Sequence, residues 1–370
     1  MTKILFLLHS YYKYNQGGAE QQIKYIASYL ITQEFEVHYL FLHPTRLREK
    51  DGEIHLYGIP KKPYQEKLVG KLCYYTDVIK DLKEIQPDII YHRNLSNILL
   101  PAIAYAKDNA VKTIIHLANL VNVEKRLKIN KMLLRNLLDF YGKEYALKSV
   151  DHIIAQAKYQ DQLLLQNFQR HADLILPNVH PLPQEPINKK APITVLWVAN
   201  FKAFKQPDLF IDLVKAVAPL KQTVRFKMIG RNKNSTQSAM WKQKMAQVPH
   251  LEYTGELSME EVNHELAKAD IFVNTSLYEG FPNTFIQAWM REVPVVSLHV
   301  NPDQVLTQEG IGFHSQTFEQ MVLDLTRLID DSNLRASMGK KARQFAQKTY
   351  SIKNLARLIP LLQTPSKGAS

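Results

Sequence analysis

Short runs of apolar residues alternate with stretches of helical spacing along the whole chain. Residues 3–8 are apolar at nearly every position, not at every second one, which is the pattern of a parallel strand covered on both faces. A glycine-containing loop follows, then helical spacing over 21–31 and a second apolar run at 36–42. The same rhythm predicts strands at 88–92, 112–116 and 152–155 in the first half. In the second half it predicts strands at 193–199, 225–229, 251–253 and 271–273, a helix from 208, and closing helices at 318–329, 333–349 and 352–362. Such a β/α alternation specifies the α/β class with parallel sheets. Residues 271–297 carry it most plainly. A β-branched run ends at Asn274-Thr275, a loop with Gly280 and Pro282 follows, and Phe285, Ala288 and Trp289 then fall on one helical face, with Gln287 and Arg291 on others. Pro294 stops that helix and Val295-Val296 opens another strand.

The rhythm breaks once. Five prolines crowd into residues 176–192, so the chain is expected to divide into a first domain over 1–180, a linker over 181–192 and a second domain over 193–349. The length of 370 residues agrees with two domains of roughly 150 to 200 residues each. Residues 364–370 are small and polar and are expected to fray. No apolar run approaches the ~18 residues of a membrane-spanning helix, and the N-terminal run is read as a strand, not as a secretion signal. The single cysteine, Cys73, excludes an internal disulfide, agrees with a cytoplasmic setting and is read as a packed side chain.

A net charge of +12 narrows the partners to something negative. Neither an aromatic-interleaved basic platform nor a Cys/His zinc pattern occurs, which argues against nucleic acid. Between residues 123 and 149, seven basic side chains stand against three acidic ones and interleave with Leu and Phe. An amphipathic basic helix of this kind is expected to lie on an anionic membrane surface or to be an ordinary surface helix.

The segment Glu279-Gly280-Phe281-Pro282, running on through Gln287-Ala288 to Pro294-Val295, resembles the signature of the group 1 (family 4) retaining glycosyltransferases of the GT-B fold. That fold comprises two Rossmann-like β/α/β domains facing a central cleft. The resemblance implies a metal-independent, cofactor-free enzyme moving a sugar from a nucleoside diphosphate sugar to a glycan or lipid-linked acceptor in cell-surface polysaccharide synthesis. It implies that residues 350–370 return to the first domain, and that the protein sits in the cytoplasm, peripheral to the membrane. Glu279 would orient the donor sugar through its hydroxyls, and His116, at a strand end, would stand near the reacting centre. Gly17 and Gly18 would approach the donor diphosphate through their backbone, the unspecialised reading of that pair being a turn with positive φ. Lys205 would hold the pyrophosphate. An arginine of the family pattern is replaced by Asn200, so Lys202 would supply the second cation, without the bidentate fork of arginine. Gly230, Arg231 and Leu257 would lie around the base, with Asn283 and Thr284 at a helix start. The second acid of the family signature is Gln287 here, which retains hydrogen bonding to a ribose but loses a charge. No acidic pair suited to a metal stands at a strand end; Asp330-Asp331 falls at a helix junction. The departures at Asn200 and Gln287 keep open a non-catalytic partner or nucleotide-binding subunit of another transferase. A phosphorylase or epimerase is a further alternative, and no lysine motif for pyridoxal phosphate supports the phosphorylase.

Overall fold

The protein is described by a computed structural model covering residues 1–15, 17–125, 133–184, 186–187, 189–221, 223–231 and 235–363. It forms two compact units, one of Met1–Val179 with Ile352–Ser370 and one of His180–Ser351. The expected frayed tail at 364–370 lies outside the described residues, as does part of the basic segment, 126–132.

The first unit contains β1 (Lys3–Leu7), β2 (Glu36–His43), β3 (Leu47–Asp51), β4 (Ile54–Pro60), β5 (Ile89–Arg93), β6 (Lys112–His116), β7 (His152–Ala155) and β8 (Leu174–Ile175). They form one sheet in the order β3-β4-β2-β1-β5-β6-β7-β8. Its helices are α1 (Gly18–Ile31), α2 (Pro63–Val69), α3 (Tyr75–Ile85), α4 (Leu99–Asn109), α5 (Leu133–Ser149) and α6 (Lys158–Phe168). Burial on both faces explains the unbroken apolar runs. In β1, Ile4 and Phe6 enter one core while Leu5 and Leu7 enter the other. Among the described residues the β3–β4 hairpin is the one antiparallel pairing of this sheet, and it has no counterpart in the expected rhythm. Leu47 aside, β3 reads Arg-Glu-Lys-Asp, the polar pattern of an edge strand and not of a core run.

The second unit contains β9 (Thr194–Val198), β10 (Arg225–Ile229), β11 (Leu251–Gly255), β12 (Ile271–Asn274), β13 (Val295–Ser297) and β14 (Gly312–His314). The order is β11-β10-β9-β12-β13-β14, with every pairing parallel. This is the doubly wound order in which the connections reverse direction between two neighbouring central strands, here β9 and β12. Its helices are α7 (Pro207–Val217), α8 (Ser235–Ala246), α9 (Met259–Lys268), α10 (Asn283–Trp289), α11 (Val305–Gln308), α12 (Phe318–Asp330) and α13 (Ser332–Thr349). Two expected features differ. The helix after the Glu279 loop is only seven residues long, and Phe285 through Trp289 are all buried, so Gln287 faces protein and not a separate polar side. The proline-rich segment also begins a folded unit: His180 donates its backbone N–H to Tyr350, and Lys189 reaches the Glu292 carbonyl at 2.5 Å.

The last described stretch, a 3₁₀ helix over Ile352–Leu358 continued by α14 (Ile359–Gln363), belongs to the first unit. Leu355, Leu358 and Leu362 are buried there with Ile4, Phe6 and Ile23.

Candidate active site

In a doubly wound sheet the strand C-termini on either side of the reversal leave a crevice that no connection covers. In the second unit two loops flank that point, one after β9 and one after β12, and they carry Lys205 and Glu279. The structure brings these two together: Lys205 Nζ lies 2.6 Å from Glu279 Oε2, both side chains mostly buried. The other carboxylate oxygen, Oε1, accepts from Ser276 Oγ at 2.7 Å and Asn274 Nδ2 at 3.0 Å.

The loops are fastened to each other through backbone. Thr275 Oγ1, which accepts from Trp197 Nε1 at 3.0 Å, donates to the carbonyls of Lys205 at 2.7 Å and Gln206 at 3.0 Å. Leu277 N–H donates to Phe204 O at 2.8 Å, and the Phe204 and Tyr278 rings stack at 5.1 Å. Lys202 is exposed, and its Nζ and that of Lys205 both lie over the Phe204 ring, at 5.8 Å and 5.3 Å. Asn200 is exposed too. A cavity of about 740 Å³ borders the same β9–α7 loop, lined by Phe201, Lys202, Trp241 and Lys244, and neither Lys205 nor Glu279 lines it.

Gly230 has φ +148°, and a Cβ there would meet the Ala199 carbonyl oxygen at 1.8 Å, so β10 ends in a turn only glycine permits. Arg231 beside it is paired with Glu256 at 2.6 Å and half exposed. Leu257 packs against the core under β9. In the Glu279 loop the Phe281 ring is turned into the core against Tyr350, 5.1 Å away, and Pro282 precedes α10; Gly280, Asn283 and Thr284 stay partly accessible. Gln287 is buried, its amide donating to Asn263 Oδ1 at 2.8 Å and Met259 Sδ at 2.9 Å on α9.

In the first unit, Gly17 is the N-cap of α1 with φ −74° and Gly18 is the first helical residue, so the positive φ that would explain the pair does not occur. A Cβ at Gly17 would stand 2.2 Å from Glu20 Oε2, the tip of a side chain that can move aside. The preceding loop is anchored by Asp51, which accepts from Tyr11 at 2.7 Å, Tyr12 at 2.9 Å and Lys13 at 2.6 Å. Burial pushes that carboxyl up, but Lys13 and the two hydroxyls more than offset it and hold it below the usual range. Sequence reasoning missed this anchor; the run of three tyrosines and a lysine was its only trace.

His116 is fully buried at the end of β6. Nδ1 faces the Tyr91 hydroxyl at 2.6 Å and Arg93 Nη1 at 2.8 Å, and Nε2 faces Leu176 O at 3.1 Å. The arginine requires an acceptor and the carbonyl a donor, which fixes the Nε2–H tautomer. Burial and the Arg93 charge hold the imidazole neutral, well below its ordinary range, and burial pulls Arg93 itself down to about 10. With both ring nitrogens engaged inside the unit, His116 supports Arg93.

Sequence comparison identifies this architecture. The Glycosyltransferase Family 4 profile matches residues 16–177 and the Glycosyl transferases group 1 profile matches residues 182–345. The chain is a group 1 glycosyltransferase. It is 23% identical over 171 residues to the Vi polysaccharide biosynthesis protein of Salmonella typhi, covering 45% of this chain and 29% of that one. An uncharacterised glycosyltransferase of Methanocaldococcus jannaschii is 24% identical over 214 residues, 56% of this chain and 58% of the relative. The match thus spans under two thirds of either relative's length.

Among solved structures, sucrose-phosphate synthase from Thermosynechococcus elongatus superposes with a TM-score of 0.79 at 13% identity, covering 98% of both chains. WaaG, a glycosyltransferase involved in lipopolysaccharide biosynthesis, gives 0.76 at 16% identity over 97% of this chain and 99% of that one. Anabaena HepE in complex with UDP and glucose gives 0.71 at 15% identity over 98% and 99%. At such identities the likeness is one of fold, and the fold is GT-B.

Proposed function

We propose that this group 1 glycosyltransferase transfers a sugar, with retention of anomeric configuration and without a metal, from a nucleoside diphosphate sugar to a glycan or lipid-linked acceptor in cell-surface polysaccharide synthesis. The observation that carries the reading is the Lys205–Glu279 pair, drawn from two loops to 2.6 Å at the reversal point of the second sheet. Sugar transfer needs a cation where the leaving diphosphate gains charge and an acceptor group for the hydroxyls of the sugar it leaves. Lys205 supplies the first and Glu279 the second, each partnering the other until the donor arrives. The acceptor's proton passes to the leaving diphosphate on the face the acceptor attacks. The donor would be a uridine nucleotide, the class bound by the Anabaena relative. Gly280, Asn283 and Thr284 would contact it around Glu279, with Gly230 and Arg231 near the base.

The expected outcome for Glu279→Ala is a loss of transfer of two or more orders of magnitude in a protein that still folds, measured with a panel of UDP-sugars and checked by circular dichroism; near-normal turnover refutes the role. EDTA is expected to leave the rate unchanged. A nucleotide-binding subunit without turnover is the second reading, favoured by the commitment of Gln287 to α9. Donor hydrolysis by the isolated chain separates the two.

The lipid-linked reading draws support from the first unit. Helix α2 has no buried residue and presents Tyr64 and Leu68, 82% and 70% exposed, beside Lys67. On α5, which packs beside it, Leu134 and Tyr141 are 65% and 63% exposed. No helix among the described residues is long and apolar enough to cross a membrane. The exposed Tyr64, Leu68, Leu134 and Tyr141 support a protein that would work at the cytoplasmic membrane face by laying these side chains on an anionic surface.

A further inference from the structure

The residues that support the Lys205–Glu279 pair form one tripeptide, Asn274-Thr275-Ser276, at the end of β12. Its side chains alternate. Asn274 and Ser276 turn toward Glu279, and Thr275 turns the other way, toward the backbone of the lysine loop. All three are buried. Asn274 Oδ1 accepts the Ser276 N–H at 3.1 Å, a turn that locks the two side chains together. Asn274 Nδ2 then donates to Ser276 Oγ at 3.2 Å and to Glu279 Oε1 at 3.0 Å, and Ser276 Oγ donates to the same Oε1 at 2.7 Å. Thr275 Oγ1 holds the Lys205 and Gln206 carbonyls.

We infer that Asn274-Thr275-Ser276 is the positioning device of the site, fixing Glu279 through its side chains and Lys205 through its backbone. The consequence is a division of labour within one carboxylate. Oε1 is reserved for the scaffold, and Oε2, held by Lys205, is the oxygen exchanged for ligand. Donor binding then requires Lys205 to leave Glu279 for the diphosphate, while the tripeptide keeps Glu279 in place without its counter-ion. In a water-poor site such preset groups need no reorganisation as the reaction proceeds. The inference rests on the transferase reading for what is exchanged, though not for the geometry.

The experiment has two arms. In crystal structures of Ser276→Ala and Thr275→Val, the Glu279 carboxylate is expected to swing away in the first, and the Lys205–Glu279 contact to open in the second. An unmoved pair in both overturns the inference whatever the protein's activity. The second arm is a double-mutant cycle on turnover of UDP-sugar. Ser276→Ala is expected to lower turnover about tenfold in the native background and less than twofold in Glu279→Ala, with Ser276→Thr restoring most of the loss. Equal losses in both backgrounds mean that Ser276 acts only on the fold, and overturn the inference. An effect of Ser276→Ala on turnover with none from Glu279→Ala overturns the transferase role of Glu279 and leaves the scaffold standing.

Discussion

Gln287 shows how far a single side chain can be read from its letter. A glutamine where the family pattern has an acid looks like a weakened ribose contact, and hydrogen-bonding inventory alone supports that reading. The surroundings change it. The amide is buried, with a carbonyl oxygen and a sulfur as its acceptors. A carboxylate would place negative charge against both. Gln287→Glu is therefore expected to cost about 1–3 kcal/mol of stability, read from the urea midpoint, with no rise in UDP affinity. Tighter UDP binding by calorimetry would show that the position turns to ribose after all. His116 carries a similar lesson. Its place at a strand end was visible from hydrophobic pattern, but nothing in the order of residues revealed the Arg93 and Tyr91 side chains, 23 and 25 positions away, that occupy its ring.

At the scale of elements, the strands were legible because burial on both faces leaves so clear a mark: β6, β7 and β10 fall where the apolar runs placed them. The elements that escaped lack that mark. The β3–β4 hairpin has a polar edge strand. The helix expected from the spacing of Phe285, Ala288 and Trp289 is present as α10, shorter than expected and buried from Phe285 through Trp289. The site itself was half legible. Glu279 and Lys205 stood out as letters, but their contact depends on β9 and β12 being neighbours, a pairing between strands more than seventy residues apart. Helix α2 shows what sequence inspection undervalued. A seven-residue helix without a buried side chain has no packing reason to carry Tyr64 and Leu68, four positions apart on one face. The double substitution Tyr64→Ser with Leu68→Ser is expected to weaken co-flotation with phosphatidylcholine/phosphatidylglycerol vesicles roughly tenfold. The parent protein is expected to ignore vesicles of phosphatidylcholine alone, and equal binding to both kinds would sink the idea.

Over the whole molecule, buried histidines set the response to acid. Burial holds His9 and His180 down at about 4 and His92 at about 3, and His116 well below its ordinary range. In the unfolded chain each titrates near ~6.5. Between those values the unfolded state takes up protons that the folded state refuses, so stability is complete above ~6.5 and is lost as the pH falls toward 4. Since each pKa unit is worth ~1.4 kcal/mol, the loss should reach several kcal/mol. Urea midpoints measured from pH 7.5 down to 4.5 should begin to fall near pH 6.5. A midpoint that holds until carboxylates titrate would contradict this account.

The closing segment that brings Leu355, Leu358 and Leu362 into the first unit also bears on the order in which the protein can be made. During synthesis the first 179 residues emerge before those leucines exist, so the earlier half of the chain waits with an apolar groove open while the later half assembles. Maturation then runs backwards along the message, and a released chain ending at residue 351 would carry every residue of the second unit but lack the closing segment of the first.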